Sequence, residues 1–284
     1  MAAAPAVTLR VGNKTFDITH RAVVMAILNR TPDSFFDRGA FFDLAATIDR
    51  AAEVVAEGAD ILDVGGVKAG PGPEVGVDEE LSRVVPAVEA LRARFDVPVS
   101  VDTWRATVAS AAYDAGASMG NDISGFADPD YLPAAARAGA SVVATHIRLA
   151  PRVPDPEPHY DDVVATVRER LCSLAAAAVA AGIPSNAVIV DAGLDLGKTW
   201  SQSVALLRAS RTLAGIGHPL LLSASNKTFL GRMFDLDVHE RRDATTAAHA
   251  VGVVRGCRVL RVHDARAAAR VRDALAALGE AKAG

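Results

Sequence analysis

Polar and ionisable residues recur at one kind of place in this chain, at or just past the end of a short apolar run. Asn29 and Asp33 follow one such run, Asp63 lies in a second, and Asp102 ends a third. Asn121 with Asp122, His146, and Asp191 close three more, and Lys227, Arg261 and His263 join them from the last two repeats. Carboxylates and amides projecting from several strands suit a heterocycle rich in donors and acceptors, because each ring edge needs a matched partner. A lysine, an arginine and a histidine opposite them suit an anionic leaving group or a substrate phosphate. No Gly-x-Ser-x-Gly, His-Glu-x-x-His or Ser/His/Asp arrangement is apparent, so hydrolase and zinc chemistry are unsupported.

Each of these residues also has a plainer use. A strand-end Asp is more often a helix cap or a loop staple, and Asp102 before Thr103 and Asp122 before Ser124 fit that description. His146 at the end of an apolar strand reads equally well as a satisfied core histidine. Lys227 reads as a solvated lysine at a helix start, and His263-Asp264 as the start of the last helix. The functional reading rests on many polar groups sharing one face.

The elements that must position them form a repeat of apolar strand, polar loop and Ala-rich helix. Thr8 to Ile18 alternates apolar and polar residues around Gly12-Asn13, a hairpin signal. Strands are expected at 22–28, 61–64, 97–103, 118–123, 140–146, 187–191, 218–222 and 258–262. Helices are expected at 44–57, 77–94, 104–115, 129–138, 160–181, 200–212, 239–256 and 264–278. Eight such repeats fit a single (β/α)8 TIM barrel, with the N-terminal β-hairpin capping the barrel's amino end. In that fold, residues just past the carboxyl ends of the strands share the catalytic mouth. A doubly wound open sheet is the runner-up, weakened by the lack of a Gly-rich fingerprint after the first long strand. One domain is expected over 1–284, with the barrel at about 22–279 and residues 1–6 as a flexible tail. The loops 30–43, 65–76 and 148–159 do not reveal their conformation, and the last, with its four prolines, is the best candidate for mobility.

Bulk composition bounds the partners. Half of the 284 residues are hydrophobic and the net charge is -4, which leaves no basic footprint for nucleic acid or an anionic membrane. The two cysteines, Cys172 and Cys257, lack metal-ligand spacing and fit a reducing compartment. The first residues do not read as a signal peptide, and no segment is apolar enough to span a bilayer. A cytoplasmic protein is expected.

Four motifs resemble those of dihydropteroate synthase: Ile27-Leu28-Asn29-Arg30-Thr31-Pro32-Asp33-Ser34-Phe35, Ser100-Val101-Asp102-Thr103, Asn121-Asp122-Ile123-Ser124-Gly125 and Arg261-Val262-His263-Asp264. That family joins p-aminobenzoate to a hydroxymethyl-dihydropterin pyrophosphate. The resemblance implies a pterin pocket of Asp102, Asn121, Asp191 and Lys227, with Arg261 stacking on the pterin and helping to hold phosphate. It implies that His263 binds pyrophosphate, that Asn29 holds it together with Mg²⁺, and that Asp33 and Phe35 belong to a mobile first loop. Pyrophosphate departs first in that chemistry, leaving a pterin-stabilised cation for the arylamine to attack. A homodimer through the last helices is implied as well.

The departures from the family pattern are concentrated. Where the family's second loop reads Gly-Gly-Glu-Ser-Thr-Arg-Pro-Gly, this chain has Gly65-Gly66-Val67-Lys68-Ala69-Gly70-Pro71-Gly72. Asn226 stands where the seventh loop has an Arg, and Leu196 where a Phe packs against p-aminobenzoate, with Asp195 adding a carboxylate beside it. Arg30, Phe36 and Arg38 alter the first loop. One lost charge contact at a transition state costs about 10²–10³ in rate. The expectation is a paralogue with little or no synthase activity that keeps some pterin or aryl-ligand binding. The alternatives are an active synthase with rearranged loops, another transferase on the same barrel, and a non-enzymatic scaffold with a protein partner.

Overall fold

The computed structural model describes residues 7–30, 43–70 and 72–280. Asp33, Phe35, Phe36 and Arg38 lie outside those residues. The chain opens with an antiparallel hairpin, β1 (Thr8–Val11) and β2 (Lys14–Asp17), turned at Gly12. Eight parallel strands then close into a barrel: β3 (Val23–Asn29), β4 (Ile61–Gly65), β5 (Val99–Asp102), β6 (Met119–Asp122), β7 (Ser141–Thr145), β8 (Val188–Asp191), β9 (Leu220–Leu222) and β10 (Cys257–Val262). They pair in sequence order, and β10 returns to β3 with Arg261 opposite Met25.

Side-chain parity explains both cores. Val24, Ala26, Leu62, Val64 and Leu260 point outward into the layer under the helices. Val23, Met25, Ile61, Met119, Val143, Ile189, Leu221 and Val259 point inward and pack with Leu9, Val11 and Ile18 of the hairpin region. The hairpin therefore plugs the amino end, and Ser141 at the start of β7 donates a hydrogen bond to Arg10 O at 2.6 Å. Two residues beyond Ile61, Met119, Ile189 and Val259, on the same inward face, stand Asp63, Asn121, Asp191 and Arg261. A polar storey is thus stacked on an apolar one.

The helices are α1 (Leu44–Ala56), α2 (Val77–Arg94), α3 (Ala106–Asp114), α4 (Tyr131–Arg137), α5 (Val163–Ala180), α6 (Trp200–Arg208), α7 (Ser210–Ala214), α8 (Thr228–Phe234), α9 (Arg242–Val254) and α10 (Ala265–Glu280). The first turn of α2 carries Asp78, Glu79 and Glu80 and its last turn Arg92 and Arg94, which complements the helix dipole. Asp162 caps α5 by accepting the N–H groups of Val164 and Ala165, and Thr199 with Gln202 forms a capping box on α6. The single helix expected at 200–212 divides at Ala209, whose N–H is shared among carbonyls while Ser210 Oγ bonds Leu207 O at 2.8 Å. Among the described residues, no helix is long and apolar enough to cross a membrane.

Candidate functional site

The mouth at the carboxyl ends of the strands holds a cavity of about 490 Å³. Its floor is the polar storey. The Arg261 guanidinium donates from Nε to Asp63 Oδ2 at 2.7 Å and from Nη2 to Asp102 Oδ2 at 2.5 Å. Asn121 Nδ2 donates to the same Asp63 oxygen at 3.1 Å, so one carboxylate oxygen collects two donors. Asp63 is fully buried, and its Oδ1 has no hydrogen-bond partner. Burial pushes the Asp102 carboxyl up to about 7 despite the opposing pull of Arg261, and Asp63 adds to the rise. Arg261 is thus woven into the carboxylates rather than standing across the pocket from them, as the sequence led one to expect.

Asp191 and Lys227 form the second half of the floor. Asp191 Oδ1 accepts the Gly193 N–H at 2.8 Å, which folds the loop after β8 over the strand end. Lys227 Nζ donates to Leu194 O at 2.5 Å from the other side of that loop. Burial raises the Asp191 carboxyl above its ordinary range, with Lys227 opposing, and lowers the Lys227 amine, with Asp191 opposing. His263 takes Ser225 Oγ as the partner of both its backbone N, at 3.2 Å, and its Nδ1, at 3.0 Å. Burial, then the neighbouring cations led by Arg261, holds this imidazole near 3, so it is neutral at pH 7. Asn29 completes the set at the end of β3.

The wall is built from different material. Val67, Lys68, Ala69 and Gly70 supply one side, Leu196 and Asn226 another, and Leu149, Val153 and Pro154 from the loop after β7 a third. Arg152 ties that loop to the one after β4 by donating to Pro73 O at 2.6 Å. Arg148 clasps Asp155 through Nε and Nη2. Lys68 and Arg152 bring further positive charge to the lining, and Lys198 adds an amine that burial lowers to about 7. Arg30 does not line the cavity; its backbone N–H donates to Gly65 O at 2.8 Å, and its buried guanidinium leaves Nε and Nη1 without hydrogen-bond partners.

The site residues named from the sequence that fall within the described part therefore converge: Asn29, Asp102, Asn121, Asp191, Lys227, Arg261 and His263 all line one cavity, as do Val67, Lys68, Ala69, Gly70, Leu196 and Asn226. Asp122 does not line it. Its carboxylate accepts the N–H groups of Ser124 at 2.6 Å and Phe126 at 2.9 Å, the staple that its position before Ser124 allowed. His146 has a structural partner, Lys198, whose Nζ lies 3.0 Å from His146 Nδ1, 3.3 Å from His146 O and 2.9 Å from Leu196 O. Asp63, named among the strand-end polar groups, lies in the floor of the site, whereas sequence reasoning passed over Lys198 and Ser225. Asp63 was detectable from parity, being two residues after Ile61, whereas Lys198 and Ser225 belong to loops and carry no periodic signal.

A closed barrel whose mouth gathers carboxylates, an amide and cations can match the donors and acceptors of a small polar heterocycle and hold negative charge beside it. Residues 25–263 match the family described as pterin binding enzyme. The chain is 44% identical over 264 residues to the inactive dihydropteroate synthase 2 of Mycobacterium tuberculosis, covering 91% of this chain and 83% of that protein. It is 39% identical over 253 residues to the dihydropteroate synthase of Bacillus subtilis, covering 88% and 86%. The crystal structure of Yersinia pestis dihydropteroate synthase in a sulfonamide drug complex superposes with a TM-score of 0.92 at 35% identity, over 97% of this chain and 100% of that one. The chain belongs to the dihydropteroate synthase family of pterin-binding enzymes.

Proposed function

We propose that this protein keeps a pocket for a pterin-like ring and has little or no dihydropteroate synthase activity. The observation that carries the reading is the division of one cavity into a polar floor and a rewritten wall. On this reading Asp102, Asn121, Asp191 and Lys227 meet the edges of the ring, and Asn29 and His263 face its anionic tail. Arg261, paired with Asp63 and Asp102 on the floor, presents its guanidinium to the ring. On the wall Gly70 stands where the family has an arginine fork, and Lys68, two residues earlier, offers only an ammonium, which does not reproduce bidentate phosphate recognition. The name of the mycobacterial relative, an inactive synthase, agrees with this reading.

A magnesium ion fits only as a companion of a substrate pyrophosphate. Among the described residues no group of three His, Cys, Asp or Glu side chains could hold a metal, and Asn29 offers a neutral oxygen. That suits an ion carried mainly by phosphate oxygens and water, which when bound would neutralise charge on the departing group. The reading places the chain in the cytoplasm as one domain over 1–284. It pairs two copies through α9 and α10, where Val251, Val254 and Leu278 are exposed.

Product formation from hydroxymethyl-dihydropterin pyrophosphate and p-aminobenzoate with Mg²⁺, beside a competent synthase, tests the reading, with calorimetric titration of the pterin pyrophosphate in parallel. Binding without turnover is expected. Robust turnover would sink it and establish the second reading, an active synthase in which Lys68 and Arg152 on the cavity wall replace the lost cations. Absence of both binding and turnover would leave a scaffold with a protein partner.

A further inference from the structure

A second cavity, of about 270 Å³, lies between the loop after β9 and the helices α9 and α10. Ser225 and Asn226 line both cavities, so a single loop separates them. The second one is polar for a space enclosed by helices. His249 is 2% exposed and lines it, and His249 Nε2 has no hydrogen-bond partner. A buried ring nitrogen left without a partner is costly, and the space beside it is large enough for a group that would satisfy it.

The remaining lining groups define what that group is. The one carboxylate, Asp264, is spent: Oδ1 accepts the Ala267 N–H at 2.9 Å and Oδ2 accepts Arg242 Nε at 2.9 Å. Thr245 Oγ1 is occupied by the Asn226 N–H at 3.1 Å, and Thr246 Oγ1 donates to Arg242 O at 3.0 Å. What still faces the space is donor-rich: the Arg242 guanidinium beyond its Nε, the imidazoles of His239 and His249, and the Asn226 amide. We propose that this cavity is a second ligand site, binding a small oxyanion-bearing molecule through His249 Nε2–H and the Arg242 guanidinium. Phosphate esters and carboxylates share this chemistry. Ser225 Oγ holds His263 on the other side of the loop, so occupancy bears on the barrel mouth. The proposal stands whether or not the first cavity takes a pterin.

The full-length protein, labelled with ¹⁵N-histidine, is titrated with inorganic phosphate and separately with acetate at millimolar concentrations while its imidazole resonances are followed. The His249 signal, assigned by its loss in His249→Gln, is expected to shift saturably. Arg242→Ala, a change at an exposed side chain, is expected to weaken that titration about tenfold or more. Lys227→Met, confined to the first cavity, is expected to leave it unchanged. A response to phosphate alone assigns a phosphate ester, and to acetate alone a carboxylate; a response to both assigns an unselective oxyanion site. A His249 signal that stays fixed, or that shifts equally in Arg242→Ala, overturns the proposal.

Discussion

Replacing Arg261 with methionine keeps most of the side-chain volume and removes the charge that holds the barrel floor together. The wild-type guanidinium lies 2.7 Å from Asp63 and 2.5 Å from Asp102, and Asp63 is fully buried. Breaking a buried pair by deleting one partner costs about 3–5 kcal/mol, because the other charge is left uncompensated. Against a total stability of about 5–15 kcal/mol, that is a large fraction. The sign with pH follows from Asp102. Its folded-state carboxyl is raised from 3.8 to about 7, so between those values the folded state binds more protons and stability falls as pH rises. Without Arg261 the carboxyl is held protonated still more strongly, and the deficit of Arg261→Met grows from about pH 5 to about pH 8. Urea denaturation of both proteins at the two pH values measures it. Asp63→Asn in the Arg261→Met background removes the orphaned charge and recovers part of the loss. A deficit below about 1 kcal/mol, or one equal at the two pH values, would refute the account of the floor as a coupled ion cluster.

Three further outcomes follow from the same geometry. Burial lowers the Lys198 amine from 10.5 to about 7, so the folded state binds fewer protons between those values and stability rises with pH there; Lys198→Met should abolish that slope and cost about 1–3 kcal/mol by loosening its hold on His146 and Leu196, both read from urea melts across the window. Gly193→Ala should destabilise by roughly 3 kcal/mol or more, since φ is +63° and a Cβ would sit 2.0 Å from His146 O, whereas Gly139→Ala, with φ +64° and open space, should cost only about 1 kcal/mol; paired melting curves decide. Asp122→Ala frees the N–H groups of Ser124 and Phe126 and should cost about 1–3 kcal/mol in the same assay while leaving ligand binding in the barrel mouth intact.

Much of the fold was legible because alternation in the strands carries it. The inward pair Ile61 and Asp63 repeats as Met119 and Asn121, Ile189 and Asp191, and Val259 and Arg261, so strand number and the polar storey follow from local pattern. The bland and the functional readings of individual residues were separable only in part. Asp122 and Asp102 both end strands, yet the first is consumed by backbone N–H groups two and four residues on and the second by a guanidinium from the last strand. Nothing in either local sequence distinguishes them.

The sequence by itself determined the eight-fold repeat, the mouth on which the polar residues gather, and the family, since these rest on short-range periodicity and on contiguous motifs. Only the tertiary structure decided which charges meet. Arg261 reaches Asp63 across 198 residues of chain because β10 closes on β3 beside β4, a pairing that no local rule encodes. The same holds for Lys198, whose amine finds His146 across 52 residues, and for Arg30, which lies outside the lining of the cavity that its place in a loop motif pointed to. The cavity beside His249 is likewise a product of packing: α9 buries the imidazole as part of its apolar face, and the loop after β9 leaves its Nε2 without a partner. Periodicity fixes where a side chain points, whereas its partner is set by which distant elements the closed barrel brings alongside it.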